Sequence, residues 1–174
     1  MKFPTITIQQ PWASLLAAGV KRYETRGWNP FHDETPSVGF GVLLIHAARS
    51  RDNIGIRHEV AYRDALALAG FGESEWLPTA AIIGAVEFVA IHRADIVGVA
   101  LRSQAAGETA FRRSGEDVEQ VAARELSLGN FSANRWAWEF RRPRVFETPI
   151  PYRGAQGVWS AELSALPPEK ANRQ

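Results

Sequence analysis

Apolar and polar positions along this chain predict several short strands and few helices. Residues 3–8 alternate and are rich in β-branched side chains, which reads as a strand. Pro11 suits the first turn of a helix. Trp12, Leu15 and Leu16 follow at i, i+3, i+4 spacing, and Gly19 supplies a C-cap. A second short strand is predicted over 22–26, a loop over 29–41 and a buried strand over 42–46. Residues 53–69 read as a helix capped by Asp52 or Asn53 and ended by Gly70.

Residues 80–92 carry the strongest strand signal. Within 95–130 a helix is predicted near 116–126. Residues 134–140 alternate, with Trp136, Trp138 and Phe140 on one face. Two more strands follow, over 145–152 and 157–161. The pattern predicts an α+β domain around a curled sheet or small barrel. One domain is expected over 1–166, with a flexible tail over 167–174.

Composition narrows the function classes. The chain has 174 residues and no cysteine, which excludes disulfides, thiolate metal sites and cysteine nucleophiles. A hydrophobic share of 45% supports a real core. No apolar run approaches the roughly 20 residues that span a bilayer. The first eight residues lack the apolar block of a secretory signal, so a cytoplasmic location is expected. His32, His46, His58 and His92 lack metal-ligand spacing, and neither a metal nor a cofactor is expected. Gly39-Phe40-Gly41 lacks the rest of a phosphate loop, and no Gly-x-Ser-x-Gly elbow is present.

Charge changes the picture more than its sum suggests. The net charge is +1, but it divides as +2 over residues 1–60, −4 over 61–120 and +3 over 121–174. An acidic middle between basic ends leaves room for a basic face where the ends meet. Of the 20 basic residues, 17 are Arg, and the lysines are Lys2, Lys21 and Lys170. Lys21 is therefore a lone internal lysine.

Two local patterns carry candidate chemistry. In strand 80–92, Glu87 is the only charge on the face of Ala81, Ile83, Ala85, Val89 and Ile91. A buried carboxylate needs a cation or a proton. It reads either as an ion pair that fixes register or as a carboxylate facing a polar cavity. Residues 19–26 place Lys21, Arg22, Glu24 and Arg26 in one short stretch. This is either a charged edge strand protected from aggregation or a partner for Glu87.

The stretch Gly19-x-Lys21-x-x-Glu24-x-Arg26, after a strand and a short helix, resembles the signature of the ASCH domain, a member of the PUA-like superfamily. Further blocks are similar: Ile8-Gln9-Gln10-Pro11-Trp12-Ala13-Ser14-Leu15-Leu16, Leu43-Leu44-Ile45-His46-Ala47-Ala48 and Gly84-x-Val86-Glu87. Two more are Arg135-Trp136-Ala137-Trp138 and Pro149-Ile150-Pro151-x-Arg153-Gly154-x-Gln156-Gly157-x-Trp159. Together they run from residue 5 to about 160. They resemble most the branch of the activating signal cointegrator's ASCH domain.

The resemblance implies a small PUA-like β-barrel with peripheral helices and two insertions, 51–78 and 95–130. It also implies binding of RNA, single-stranded nucleic acid or a modified nucleoside in a cleft lined by the signature. Some relatives implied by it are amidohydrolases that deacetylate N4-acetylcytidine with a lysine, a threonine and a glutamate. Lys21 and Glu87 match the first and last, while Glu24 occupies the threonine position. Others are ribonucleases, for which Lys21 is again central. The implied catalytic set is Lys21, Glu24 and Glu87.

A lysine acts as base or nucleophile when desolvated or set beside another cation. One flanked by carboxylates is better suited to donating hydrogen bonds and stabilising an oxyanion. Single-stranded RNA is read by bases stacked on aromatic rings, held along a basic track. Trp12, Tyr23, Trp28 and Trp136 are the stacking candidates, with Arg26, Arg135 and Arg153 as binding cations. Arg141, Arg142 and Arg144 extend that track. Trp138 and Trp159 read as core.

Overall fold

The computed structural model describes residues 1–31, 39–72, 76–108 and 117–170. Six strands form one mixed sheet: β1 (Lys2–Ile8), β2 (Tyr23–Arg26), β3 (Gly41–Ala47), β4 (Ala81–Arg93), β5 (Trp136–Pro151) and β6 (Val158–Glu162). Their order is β2-β5-β4-β3-β1-β6, with β1 and β3 parallel and every other pair antiparallel. The sheet curls into a half-barrel of the α+β class, with β2 and β6 as its edges.

Helix α1 (Trp12–Ala17) packs on one face of this sheet. Its residues Ala13 to Ala17 are all buried, against Ile6, Ile8, Leu43, Ile45, Phe88 and Trp138. Gly19 leaves the helix at φ +74, where a Cβ would sit 2.5 Å from Pro143 Cγ. Only glycine fits that turn, and the turn delivers Lys21. The opposite face holds a separate cluster of Leu44, Ile82, Ala85, Phe146 and Ala161.

Three helices cover the flanks: α2 (Val60–Leu68), α3 (Ala94–Ala105) and α4 (Val118–Leu128). They lie in the two segments expected as insertions. Tyr62 and Leu66 of α2 and Leu128 of α4 pack on Leu15 of α1. Val97 and Leu101 of α3 pack on Ala122 of α4 and Ala137 of β5. Asp117 caps α4, accepting from the N–H groups of Glu119 and Gln120 at 3.1 and 3.3 Å.

Several elements depart from the sequence pattern. The helix expected over 53–69 is a 3-10 turn, Ile54–His58, followed by α2. Glu59 between them is extended, at φ −67 and ψ 141. The 95–130 segment holds two helices, and the predicted start at Glu116 lies outside the described residues. The strands expected over 134–140 and 145–152 are one long β5. It passes Arg142, at φ +46, and Pro143 by shifting register against β4. In the expected tail, Glu147 N–H donates to Pro168 O at 3.1 Å and Lys170 N–H to Val145 O at 2.8 Å. Residues 168–170 are thus bonded to β5, and 171–174 lie outside the described residues. No helix among the described residues is long and apolar enough to cross a membrane.

Candidate functional site

The turn after α1 and the strand β2 bring Lys21, Glu24 and Arg26 to one cavity of about 800 Å³. Lys21, Glu24, Thr25 and Arg26 line one side, and Trp12 and Trp28 flank them. Thr7 and Gln9 come from the end of β1, Asn130 and Arg135 from the approach to β5, and Gln156 from the loop before β6. The cavity thus collects residues from the two ends of the chain, where the basic charge is concentrated.

Its charges are arranged in a fixed network. Arg26 Nε lies 2.9 Å from Glu24 Oε1. Arg26 Nη2 donates to the Thr7 carbonyl at 3.0 Å. Arg135 Nη2 donates to the Thr25 carbonyl at 2.8 Å. Lys21 is 2% exposed, and its Nζ donates to the Tyr23 carbonyl. Glu24 is 9% exposed. These groups are held before any ligand arrives, which limits the ordering that binding costs.

The aromatic walls are held too. Trp12 Nε1 donates to Leu128 O at 3.0 Å, and its ring meets Tyr62 edge-on at 5.8 Å. Trp28 meets Trp138 edge-on at 4.8 Å. Trp138 is fully buried, as expected of a core residue, and Trp159 is partly buried.

Of the residues singled out from sequence, Trp12, Lys21, Glu24, Arg26, Trp28 and Arg135 meet at this cavity. Four do not line it. Tyr23 points into a second cavity of about 600 Å³, between β5 and helices α3 and α4. Its phenol is raised above the ordinary value by burial, then by Glu139 and Glu125. Trp136 lies under the Arg93 guanidinium, 5.7 Å from its ring centroid. Arg153 is exposed on the loop whose Ala155 and Gly157 line the cavity.

Of the implied catalytic set, Lys21 and Glu24 line this cavity and Glu87 does not. It lies on β4 opposite Val42 and Arg141, and its carboxylate is 3.5 Å from Arg142. The cause is a break in alternation. Ala81 and Ile83 belong to the α1-facing core with Val86 and Phe88, while Ala85 packs on the opposite face. The register shift between Ile82 and Gly84, seen against both neighbouring strands, changes the phase. Ala85 and Glu87 therefore leave together the face that strict alternation shares with Ala81 and Ile83.

A different carboxylate backs the lysine. Glu125 of α4 is 1% exposed, and its Oε1 accepts from the Arg22 N–H. Burial pushes its carboxyl up, while Lys21, the Arg22 and Tyr23 backbone and the Arg22 charge pull it down; the balance stays above the ordinary value. The signal for it is present in the sequence. Val118, Val121, Ala122, Glu125 and Leu128 share helical spacing, so Glu125 is an acid on an apolar face.

Comparison with solved structures finds chains of similar shape, and these neighbours are ASCH domain proteins. The crystal structure of ASCH from Zymomonas mobilis matches with a TM-score of 0.46 and 15% identity, covering 91% of this chain and 87% of that one. A mutant of the same Zymomonas mobilis protein matches at 0.46 and 14%, with the same coverage. No family model matches the chain, and no curated protein does.

Proposed function

We propose that the cavity beside Lys21 receives a base of single-stranded nucleic acid, RNA in the first instance. The observation that carries this reading is the meeting of Trp12 and Trp28 with Lys21, Arg26 and Arg135 around one concave space of about 800 Å³. That volume falls within the range of small-ligand sites. Flat rings suit a base, and fixed cations suit the phosphates beside it. Glu24, an acceptor at the same wall, suits the exocyclic amino group of cytosine or guanine. Arg153 on the neighbouring loop and Arg135 at the cavity offer phosphate contacts.

A hydrolase acting on an acetylated cytidine keeps only part of its support. Lys21 and Glu24 line the cavity, but Glu87 does not. The Lys21 ammonium also donates to a backbone carbonyl, a use that suits a binding residue.

The test is binding of an unstructured RNA of about 12 nucleotides, followed by fluorescence anisotropy at about 50 and 200 mM salt. The wild type is expected to bind with a negative salt slope. Arg135→Ala is expected to weaken binding and reduce the slope by about one. Equal binding by both proteins, or no salt slope, overturns the reading. Turnover of N4-acetylcytidine that is lost in Lys21→Met would favour the hydrolase instead.

A further inference from the structure

We propose that Glu125 is a positioning residue for Lys21: delivered by α4, it fixes the backbone around the lysine and supplies the counter-charge that holds the ammonium at the cavity wall. The importance of this placement for a ligand rests on the nucleic-acid reading above.

Two consecutive side chains of α4 grip the turn. Arg124 Nε donates to the Val20 carbonyl at 3.2 Å. Glu125 Oε1 accepts from the Arg22 N–H. The Lys21 backbone N–H is held from the other side by Leu15 O at 3.1 Å. The Tyr23 carbonyl, one residue beyond the gripped N–H, accepts from Lys21 Nζ. The chain of contacts runs from α4 to the backbone and back to the lysine's own head group.

Backbone support alone does not call for an acid. A glutamine would accept the same N–H without the cost of a buried charge. The carboxylate makes sense against a cation: Lys21 and Glu125 line the same second cavity, and Lys21 is the first of the influences that pull the carboxyl down against the larger upward push of burial. Its second oxygen has no hydrogen-bond partner, so it is not taken up by the backbone.

Lys21 in turn needs a counter-charge, because it is almost wholly out of water. Glu24 is engaged by Arg26 at 2.9 Å, and Glu87 faces Arg142. Among the described residues, Glu125 is the buried acid left to serve. A segment expected as an embellishment of a smaller barrel thereby takes part in building the site.

The test combines a spectroscopic readout with a double-mutant cycle. With only three lysines in the chain, the Lys21 Hε–Cε resonance is assignable by loss in Lys21→Met. Glu125→Gln is expected to move that resonance and leave those of Lys2 and Lys170 in place. It should weaken binding of the same RNA by about tenfold in the wild-type background and by less than about twofold in Lys21→Met.

Glu125→Asp keeps the charge and withdraws it by one methylene; it should move the Lys21 resonance as well, and it serves if the glutamine variant does not fold. An unmoved Lys21 resonance overturns the proposal, as does an equal loss of binding in both backgrounds. If the wild type binds no RNA, the functional reading fails by that result, and the resonance alone then decides the positioning role.

Discussion

Arg26 and Thr7 lie on strands that are not neighbours in the sheet, yet the Arg26 guanidinium donates to the Thr7 carbonyl at 3.0 Å. β2 is one edge, and β1 stands fifth in the order. The contact crosses the open side of the curl. The same guanidinium holds Glu24 at 2.9 Å, so one side chain ties the curvature of the sheet to the charge arrangement of the cavity. Thr7 is itself held by Trp159 Nε1, which donates to its hydroxyl at 3.0 Å.

Arg26→Ala removes both contacts and leaves Glu24 buried without its partner. A hydrogen bond to a charged group is worth about 1.5–3 kcal/mol. The expected loss is about 2 kcal/mol, a fall in Tm of about 4–8 °C by calorimetry. Pairing the change with Glu24→Gln should recover part of the loss, because the stranded charge is gone. A double variant less stable than Arg26→Ala would refute this account.

Glu87→Gln is expected to alter little. Its partner Arg142 is 83% exposed at the side chain, at 3.5 Å, and such pairs contribute about 0–1 kcal/mol. Stability should move by less than about 0.5 kcal/mol, and RNA affinity should stay within twofold of the wild type. A large loss of binding would return Glu87 to the site.

Glu87 also shows where the sequence pattern is informative and where it stops. The strand 80–92 was legible because its apolar residues persist over more than ten positions. The face of each residue was not, because bulges depend on the partner strand and leave no mark in the alternation. β5 shows the same limit, since a proline that reads as a strand break is absorbed by a register shift. The cavity was legible where local spacing dictates it, from Lys21 to Trp28. Glu125 was missed because its relation to Lys21 is made by packing across 104 positions of chain.

His46 predicts a pH effect. Its ring is buried, and burial lowers its pKa from 6.5, against a weaker upward pull from the Tyr152 carbonyl at 3.0 Å. The unfolded chain therefore takes up a proton first as pH falls. The contribution to stability is complete above 6.5 and is lost as pH drops from there toward the folded value. His46→Gln should be less stable than the wild type at pH 8, with a gap that narrows toward pH 5. Denaturant titrations across that window check it, and a gap that stays constant or widens contradicts the assignment.

Trp28 is the sharpest test of the aromatic wall. Its ring lines the cavity and rests edge-on against Trp138 at 4.8 Å. A base stacked on such a ring contributes about 1–3 kcal/mol. Trp28→Ala should therefore weaken RNA binding by about five- to 150-fold. Trp76 is the matched control. It is 66% exposed, sits under the Arg51 guanidinium at 4.0 Å and does not line the cavity. Trp76→Ala should leave binding unchanged. Anisotropy with the same RNA decides between them: a loss of affinity in both variants would point to a general surface effect, and no loss in Trp28→Ala would remove the base from this cavity.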